Sequence, residues 1–483
     1  MRGRIAVAFV LCLSLTASAQ QGLDRKKIPP PGPTPVLRVP SWTKTTLTNG
    51  AELMASEKHD LPLISFSITF LGGDNQFEPA GRQGVASLTA ALLSEGTKTR
   101  NGDQLSNALQ LLGTTVSSNV IGETGSIAFV STAAKFGPTL DILADMLLNP
   151  TFPPAGLERL RGQRLVALTQ ARAQPNAIAS RVFPRIVFGS NHPYGRVVTE
   201  ESLKAISRED IVAFHKAYYQ PGRALITVVG DTTQAAAKPV IEKALAAWTK
   251  GGDRPTFNYP AVADPRPTTI FLVDKPGAAQ STFAIGRPGP PRTTPDFYAL
   301  QVMNTILGGM FQSRLNANIR EEKGYSYGVN SNFAYGKGPG PFRTGGDIVT
   351  AKSDAALVEF MKELRGIIGS RPITDEELTT AKDALIQRLP GTFASVSSVN
   401  TAITTLWTQN LPDDYYQQYT KRISAITKED VLRVAKQYVT VDNLAIVIVG
   451  DRSVIEGPLK ATGIAPIVLY DIEGNPVSTP SGN

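Results

Sequence analysis

The sequence has few of the residues that build metal and thiol sites. Its 483 residues contain three histidines and a single cysteine, Cys12. No two of His59, His192 and His215 stand three or four positions apart, so no two of them form a local ligand pair on one helix face. Because Cys12 lies in an N-terminal stretch that we expect to be removed, the mature chain would have no disulfide, catalytic thiolate or cysteine ligand.

The surroundings of the histidines predict ordinary structural roles for them. His59 stands beside Asp60 in a hairpin region, and we expect it to be exposed. His192 precedes Pro193 and is expected to order loop backbone, and His215 is expected at the surface or at the edge of the core. A G-x-S-x-G nucleophile motif is also missing, so the sequence shows no hydrolase machinery of that kind.

Long apolar runs are missing after the N-terminus. A positively charged start and the apolar residues 5–15 precede Ala17-Ser18-Ala19, an A-x-A cleavage pattern. This pattern predicts a secretory signal peptide over residues 1–19 and is too short for a transmembrane helix. We therefore expect export across the inner membrane, a periplasmic location and no membrane-spanning segment in the mature chain.

Charge of one sign is not concentrated anywhere in the sequence. The formal net charge is +8, and hydrophobic residues make up 42% and charged residues 19% of the chain. This balance is typical of a globular protein, and a mild, dispersed basic excess is weak evidence for a nucleic-acid partner. We expect no nucleic-acid binding.

The order of the predicted elements favours an α+β fold. Residues 20–41 are rich in proline and predict an extended tether. Asn49-Gly50 predicts a hairpin turn, and residues 63–71 alternate apolar with small polar residues, as a strand does. Strand pairs alternate with helix pairs, which does not match a doubly wound sheet. The helices are predicted over residues 84–93, 104–112, 138–148 and 154–172, with two strands between 116 and 130.

An internal repeat divides the chain into two homologous halves. Residues 207–231 (SREDIVAFHKAYYQPGRALITVVGD) and 427–451 (TKEDVLRVAKQYVTVDNLAIVIVGD) align without a gap. Each copy predicts a capped helix followed by an apolar strand that ends in Gly-Asp, which indicates a duplication. The predicted boundaries are an N-terminal half over 42–250, a linker over 251–268, a C-terminal half over 269–455 and a tail over 456–483.

With this duplication and four local motifs, the chain resembles the pitrilysin and mitochondrial processing peptidase family over residues 42–455. The motifs are Asn191-His192-Pro193-Tyr194-Gly195, Val229-Gly230-Asp231, Val449-Gly450-Asp451 and the segment 320–327, REEKGYSY. The resemblance implies that each half is a mostly antiparallel sheet with helices packed on one face.

Active members of that family are zinc endopeptidases with an inverted H-x-x-E-H motif, in which two histidines bind zinc and the glutamate acts as general base. Here the corresponding positions are Ser87, Ala90 and Ala91. The resemblance places a third ligand near Leu168-Thr169-Gln170, and the sequence has no acidic residue between Glu158 and Glu200. We therefore expect no catalytic residue and no metal or other cofactor in this chain alone.

The resemblance also implies a substrate-binding pair. In the family, an Arg and a Tyr seven residues apart hold the substrate and stabilise the oxyanion, and Arg320 and Tyr327 have that spacing. A guanidinium and a phenol are suitable donors to a carbonyl oxygen that gains negative charge. Alternatively, Arg320 pairs with Glu321 or Glu322, and Tyr327 packs within a strand.

These residues favour a non-catalytic subunit of a peptidase heterodimer. The expected partners are a peptide substrate and a homologous catalytic subunit with the intact motif and its zinc. The alternative is a peptide-binding or scaffold protein of the cell envelope, in which the sheet edge near residues 126–130 accepts an extended peptide. A metallopeptidase with unconventional ligands is a third hypothesis. The glycine-rich residues 335–346 predict a hairpin or lid, or alternatively a substrate-guiding loop.

Overall fold

A computed structural model describes residues 37–262 and 266–477. The predicted signal peptide, residues 1–19, lies outside these ranges, as do most of the predicted tether and the end of the tail. Across the described ranges, no helix combines the length and the apolar character that crossing a bilayer requires.

The first half is built on a six-stranded mixed sheet with the strand order β1-β2-β6-β3-β5-β4. β2 and β6 are parallel, and the other neighbouring strands are antiparallel. The hairpin predicted at Asn49-Gly50 is present, because it joins β1 to β2. The strands are β1 Thr43–Thr46, β2 Glu52–Glu57, β3 Leu63–Leu71, β4 Ser117–Ile121, β5 Thr124–Thr132 and β6 Ala224–Gly230.

The alternating sequence of β3 gives the two faces of this sheet different chemistry. Phe66, Ile68 and Phe70 are fully buried in the first hydrophobic core. Because successive side chains of a strand point to opposite faces, Ser65 and Ser67 lie on the other face of the sheet. One face of the first sheet is therefore apolar, and the opposite face carries hydroxyl groups.

The second half repeats this sheet with the order β12-β7-β11-β8-β10-β9. β7, β11, β8, β10 and β9 take the places of β2, β6, β3, β5 and β4. The outermost strand differs: β1 is antiparallel to β2, whereas β12 is parallel to β7 and comes from the C-terminal end of the chain. The strands are β7 Thr269–Asp274, β8 Gln280–Pro288, β9 Ser326–Phe333, β10 Pro341–Val349, β11 Ala445–Gly450 and β12 Ile467–Tyr470.

Helices connect the strands of each half, and most of them cover the apolar face of its sheet. Those of the first half are α1 Asp74–Phe77, α2 Val85–Leu92, α3 Gly102–Leu111, α4 Phe136–Leu148, α5 Pro154–Ala171, α6 Pro175–Phe188, α7 Glu200–Ala205, α8 Arg208–Tyr218 and α9 Gln234–Ala244. Those of the second half are α10 Phe297–Asn304, α11 Arg314–Asn316, α12 Ser353–Arg365, α13 Asp375–Arg388, α14 Val396–Thr408, α15 Tyr415–Ser424, α16 Lys428–Tyr438 and α17 Arg452–Ala461. The α+β fold with two similar halves is confirmed.

The sequence repeat corresponds to a structural repeat. α8 with β6 and α16 with β11 are the two copies, and each helix begins with a capping box, Ser207 with Asp210 and Thr427 with Asp430. The described residues of the predicted linker contain no helix or strand, whereas the predicted tail includes the end of α17 and all of β12.

Each sheet also carries one helix from the other half on its second face. α14 packs on β3 and β6 of the first sheet, and α6 packs on β8 and β11 of the second sheet. Both sheets therefore have their own helices on one face and a single exchanged helix on the other. This exchange joins the two halves through buried contacts.

Candidate substrate-binding residues and the degenerate metal site

The three degenerate motif positions lie on α2. Ala90 is buried, and Ala91 is half-buried. The Ser87 hydroxyl donates a hydrogen bond to the Gly84 carbonyl oxygen at 3.1 Å, so it is used within its own helix. None of these side chains has a nitrogen donor for a metal or a group that can accept a proton from water.

The neighbouring helix α5 supplies no replacement ligand. Leu168 is buried, and the Thr169 hydroxyl donates to the Leu165 carbonyl oxygen at 3.0 Å. Glu95, which follows α2, forms a salt bridge with Arg159 of α5. Within residues 37–262 and 266–477, no three His, Cys, Asp or Glu side chains lie close enough together to hold a metal ion. The residues at this place do not fit zinc.

A half-buried carboxylate that no sequence motif indicated caps α2. Glu78 Oε1 accepts the backbone N–H groups of Gly84 and Ala86 at 2.8 and 2.9 Å. Burial raises the pKa of Glu78 to about 7, although these hydrogen bonds oppose the shift. Its sequence signal is weak, because it stands seven residues before Val85, the first residue of the helix.

The three histidines have the structural surroundings that the sequence predicts. His59 is exposed, and its hydrogen bonds with Asp231 and Glu57 raise its pKa. His192 is buried and accepts the backbone N–H of Tyr194 through Nδ1 at 3.1 Å. His215 lies at the edge of the core, 2.8 Å from the Leu147 carbonyl oxygen, and burial lowers its pKa.

Arg320 and Tyr327 lie in the second half, on elements that follow α11. Arg320 belongs to a π-helical turn, Ala317–Glu322, and its Nε lies 3.3 Å from Glu321 Oε1. Its guanidinium also lies 4.3 Å from the centre of the Phe311 ring. The pairing with Glu321 that the sequence allowed is therefore present.

Tyr327 is the second residue of the outer strand β9, and it is 90% exposed. Phe311, which contacts Arg320, is 58% exposed. Since large aromatic side chains are usually buried, the exposed rings of Phe311, which contacts Arg320, and of Tyr327 are suited to contact a partner or a peptide. We call Phe311, Arg320 and Tyr327 the Arg320 surface.

The glycine-rich residues 335–346 consist of a loop and a strand. Residues 341–346 belong to β10, and the loop before them is held by Glu123, at the turn between β4 and β5. The Glu123 carboxylate accepts the backbone N–H of Lys337 at 2.8 Å and the hydroxyl groups of Tyr194 at 2.5 Å and of Tyr259. This cluster fastens the loop to the first half, and only Tyr194 belonged to a motif recognised in the sequence.

The predicted peptide-accepting edge is corrected by the pairing of the strands. Residues 126–130 belong to β5, which pairs with β3 along its length and with β4 over Thr124–Ala128. The outer strand is β4, because the turn at Gly122 folds it back outside β5. The backbone groups open to strand addition are therefore those of Ser117–Ile121.

Two family models match the chain, one described as insulinase (peptidase family M16) over residues 70–196 and one as peptidase M16 inactive domain over residues 205–385. The chain belongs to the M16 peptidase family. Because its motif positions hold no metal ligand, it is an inactive member of that family.

The relatives of this M16 chain include proteins named as proteases and proteins named as non-peptidases. It is 23% identical to an uncharacterized zinc protease, YmxG, of Bacillus subtilis over 342 residues, covering 70% of this chain and 81% of the relative. It is 22% identical to the non-peptidase homolog YmxG of Helicobacter pylori over 403 residues, covering 82% and 91%. The crystal structure of a peptidase M16 inactive domain from Pseudomonas fluorescens superimposes with a TM-score of 0.78 at 25% identity, covering 85% of this chain and 98% of that one.

Proposed function

We propose that the chain is the non-catalytic subunit of a zinc-dependent peptidase heterodimer. Its role would be to bind peptide substrate and to present Arg320 and Tyr327 to the active site of a homologous partner that carries the intact zinc motif. The observation that carries the proposal is the exposure of Tyr327, seven residues after Arg320, in a chain whose own metal positions are Ser87, Ala90 and Ala91.

The surroundings of Arg320 are compatible with this role. Its ion pair with Glu321 is solvent-exposed, and such pairs contribute only about 0–1 kcal/mol. A substrate carbonyl in a closed, dry site can therefore compete for the guanidinium. The phenol of Tyr327 has no side-chain partner among the described residues, so it is available to donate a second hydrogen bond.

The test is cleavage by the assembled pair. We expect Arg320→Ala and Tyr327→Phe each to lower kcat by roughly 10²-fold, the usual cost of removing one oxyanion donor, with assembly unchanged by sedimentation. Arg365→Ala is the matched control, because Arg365 is an exposed arginine on α12 of the same half. Wild-type kcat in an assembled Arg320→Ala pair would remove the catalytic part of the proposal.

The second candidate is a peptide-binding or scaffold protein of the cell envelope without a catalytic partner. The open backbone of β4 favours it, because an extended peptide can add to such a strand. This candidate predicts that biological activity survives the double substitution of Arg320 and Tyr327 by Ala. For both candidates we propose a periplasmic location. Cell fractionation followed by N-terminal sequencing of the native protein tests it, and we expect the sequence to start at Gln20.

A further inference from the structure

A polar cleft of about 910 Å³ lies between α14 and the outer face of the first sheet. β3, β5 and the residues that lead into β4 form its floor, and α14 forms one wall. Thirteen of its twenty lining residues are Ser or Thr, three are Asn or Gln, and none is ionisable. It is separate from Arg320 and from the degenerate motif positions, none of which lines it.

Several polar atoms of this cleft have no protein partner. Ser65 and Thr69 line it, and neither hydroxyl group is hydrogen-bonded to another described residue. Gln409 Oε1, in the same lining, is buried and also without a partner. Because a buried polar atom nearly always has a hydrogen-bond partner, Gln409 Oε1 indicates a polar occupant, and the accessible hydroxyl groups of Ser65 and Thr69 can contact it.

The wall formed by α14 offers mainly acceptors. The Thr401 hydroxyl donates to the Ser397 carbonyl oxygen at 3.0 Å, and the Thr405 hydroxyl donates to the Thr401 carbonyl oxygen at 2.8 Å. On the floor, Ser67 donates to Asn400 Oδ1 at 2.8 Å. A hydroxyl whose proton is engaged in this way still has lone pairs to accept hydrogen bonds. The ligand must therefore supply donors.

The floor also has a regular spacing. Ser65, Ser67 and Thr69 follow each other at every second residue of β3, which places them roughly 6.6–6.8 Å apart. The N–H groups on one side of an extended peptide repeat at the same distance. A charged side chain in this lining would lose water without gaining a counter-charge, which is unfavourable.

We propose that this cleft binds an extended, uncharged polypeptide segment, whose backbone N–H groups donate to the Ser and Thr oxygens. The inference deepens the proposed function, on which it rests for the peptide nature of the substrate. It adds a preference for peptide segments without Lys, Arg, Asp or Glu. The residues of α14 and β3 would determine this preference, and the Arg320 surface would not.

The test uses the mature chain alone and fluorescein-labelled ten-residue peptides followed by fluorescence anisotropy. One peptide contains only Ser, Thr, Asn, Ala and Val, and the other has Lys at every second position. We expect the neutral peptide to bind at least tenfold more tightly. Thr401→Val with Thr405→Val should weaken its binding by roughly tenfold, because two acceptors are lost while the side-chain shape is kept. Thr379→Val with Thr380→Val is the matched control on an exposed face of α13.

If the substitutions at Thr401 and Thr405 disturb the structure of α14, a second variant still tests the inference. Ser126→Glu places a carboxylate on the floor and should reverse the preference toward the Lys peptide. Equal binding of the two peptides by the unsubstituted chain, unchanged binding by the Thr401/Thr405 variant, or binding of a neutral oligosaccharide in place of the peptide would overturn the inference. If the chain binds the neutral peptide but no pair that it forms with a partner cleaves peptide, the heterodimer function is contradicted. The assignment of the cleft as a peptide site would still stand.

Discussion

The two exchanged helices pack on their sheets with opposite chemistry. α6 meets the second sheet through a dry apolar contact, in which Val182 and Phe183 pack in one cluster with Val447 and Val449. α14 meets the first sheet through Asn400, whose side chain bonds to Ser67 and to two backbone carbonyl oxygens, beside the open hydroxyl-lined cleft. The same topology therefore forms an apolar contact on one sheet and a polar contact beside an open cleft on the other.

Breaking the apolar contact should have the largest effect. Phe183 is 2% exposed, and we expect Phe183→Ala to lower the free energy of unfolding by about 3–5 kcal/mol, because the substitution leaves a cavity. Urea denaturation measures the change. Thr404→Ala on α14 is the control and should cost less than about 1 kcal/mol, and similar losses for both variants would remove the contrast between the contacts.

A second contrast concerns the carboxylates that precede α2 and α10. Glu78 caps α2 without a direct cation partner, and burial raises its pKa to about 7. Asp296 precedes α10; burial raises its pKa, but hydrogen bonds from Arg433 and Tyr438 outweigh burial and lower it.

These shifts predict opposite pH dependences of stability. Between pH 4.5 and 7 the folded state holds the Glu78 proton more tightly than the unfolded state does. The free energy of unfolding therefore falls as the pH rises through this range, by about 3 kcal/mol in total. Glu78→Gln should remove this loss. The stability contributed by Asp296 is lost as the pH falls through its lowered pKa. Asp296→Asn should therefore make the free energy of unfolding less dependent on pH at the acid end of the range. Urea titrations from pH 3 to 9 measure both, and an unchanged profile for Glu78→Gln would contradict the assignment.

Disrupting the polar contact should have a smaller effect. Asn400→Ala leaves the Ser67 hydroxyl and two buried carbonyl oxygens without their partner, and we expect a loss of about 2 kcal/mol. Thr401→Val, one residue away and exposed, should change the free energy of unfolding by no more than about 0.5 kcal/mol. Unfolding that is insensitive to Asn400→Ala would show that this contact does not hold the halves together.

The sequence predicted the local elements well and the long-range pairings poorly. The alternation in residues 63–71 predicts β3, and the repeat predicts α8 with β6 and α16 with β11, because these patterns are local. The order of strands across a sheet is not a local property, so residues 126–130 were wrongly placed at an edge.

For the candidate site, too, the sequence predicts the local features and not those that depend on the tertiary fold. The absence of ligands at Ser87, Ala90 and Ala91 can be read from the sequence alone, since the residue types decide it. The cap by Glu78 and the cluster around Glu123 could not be predicted, because they join residues that only the tertiary fold brings together. The cleft depends on α14 crossing from the other half of the chain.

The exposed ion pair of Arg320 should show the smallest effect. Glu321→Gln removes the partner of Arg320, and we expect a change of less than about 0.5 kcal/mol in the free energy of unfolding. The same thermal or urea titration checks it. A loss above 1 kcal/mol would show that Arg320 is engaged structurally and is not free to contact a substrate.

The most direct test of the central claim is the zinc content of the native protein. The mature chain is purified from its own cell envelope with whatever partner remains bound, and zinc is measured by mass spectrometry in the complex and in the separated chain. We expect a homologous partner with an intact H-x-x-E-H motif, one zinc ion per pair and none in this chain. Zinc bound by the separated chain, or a chain that is purified without any homologous partner, would contradict it.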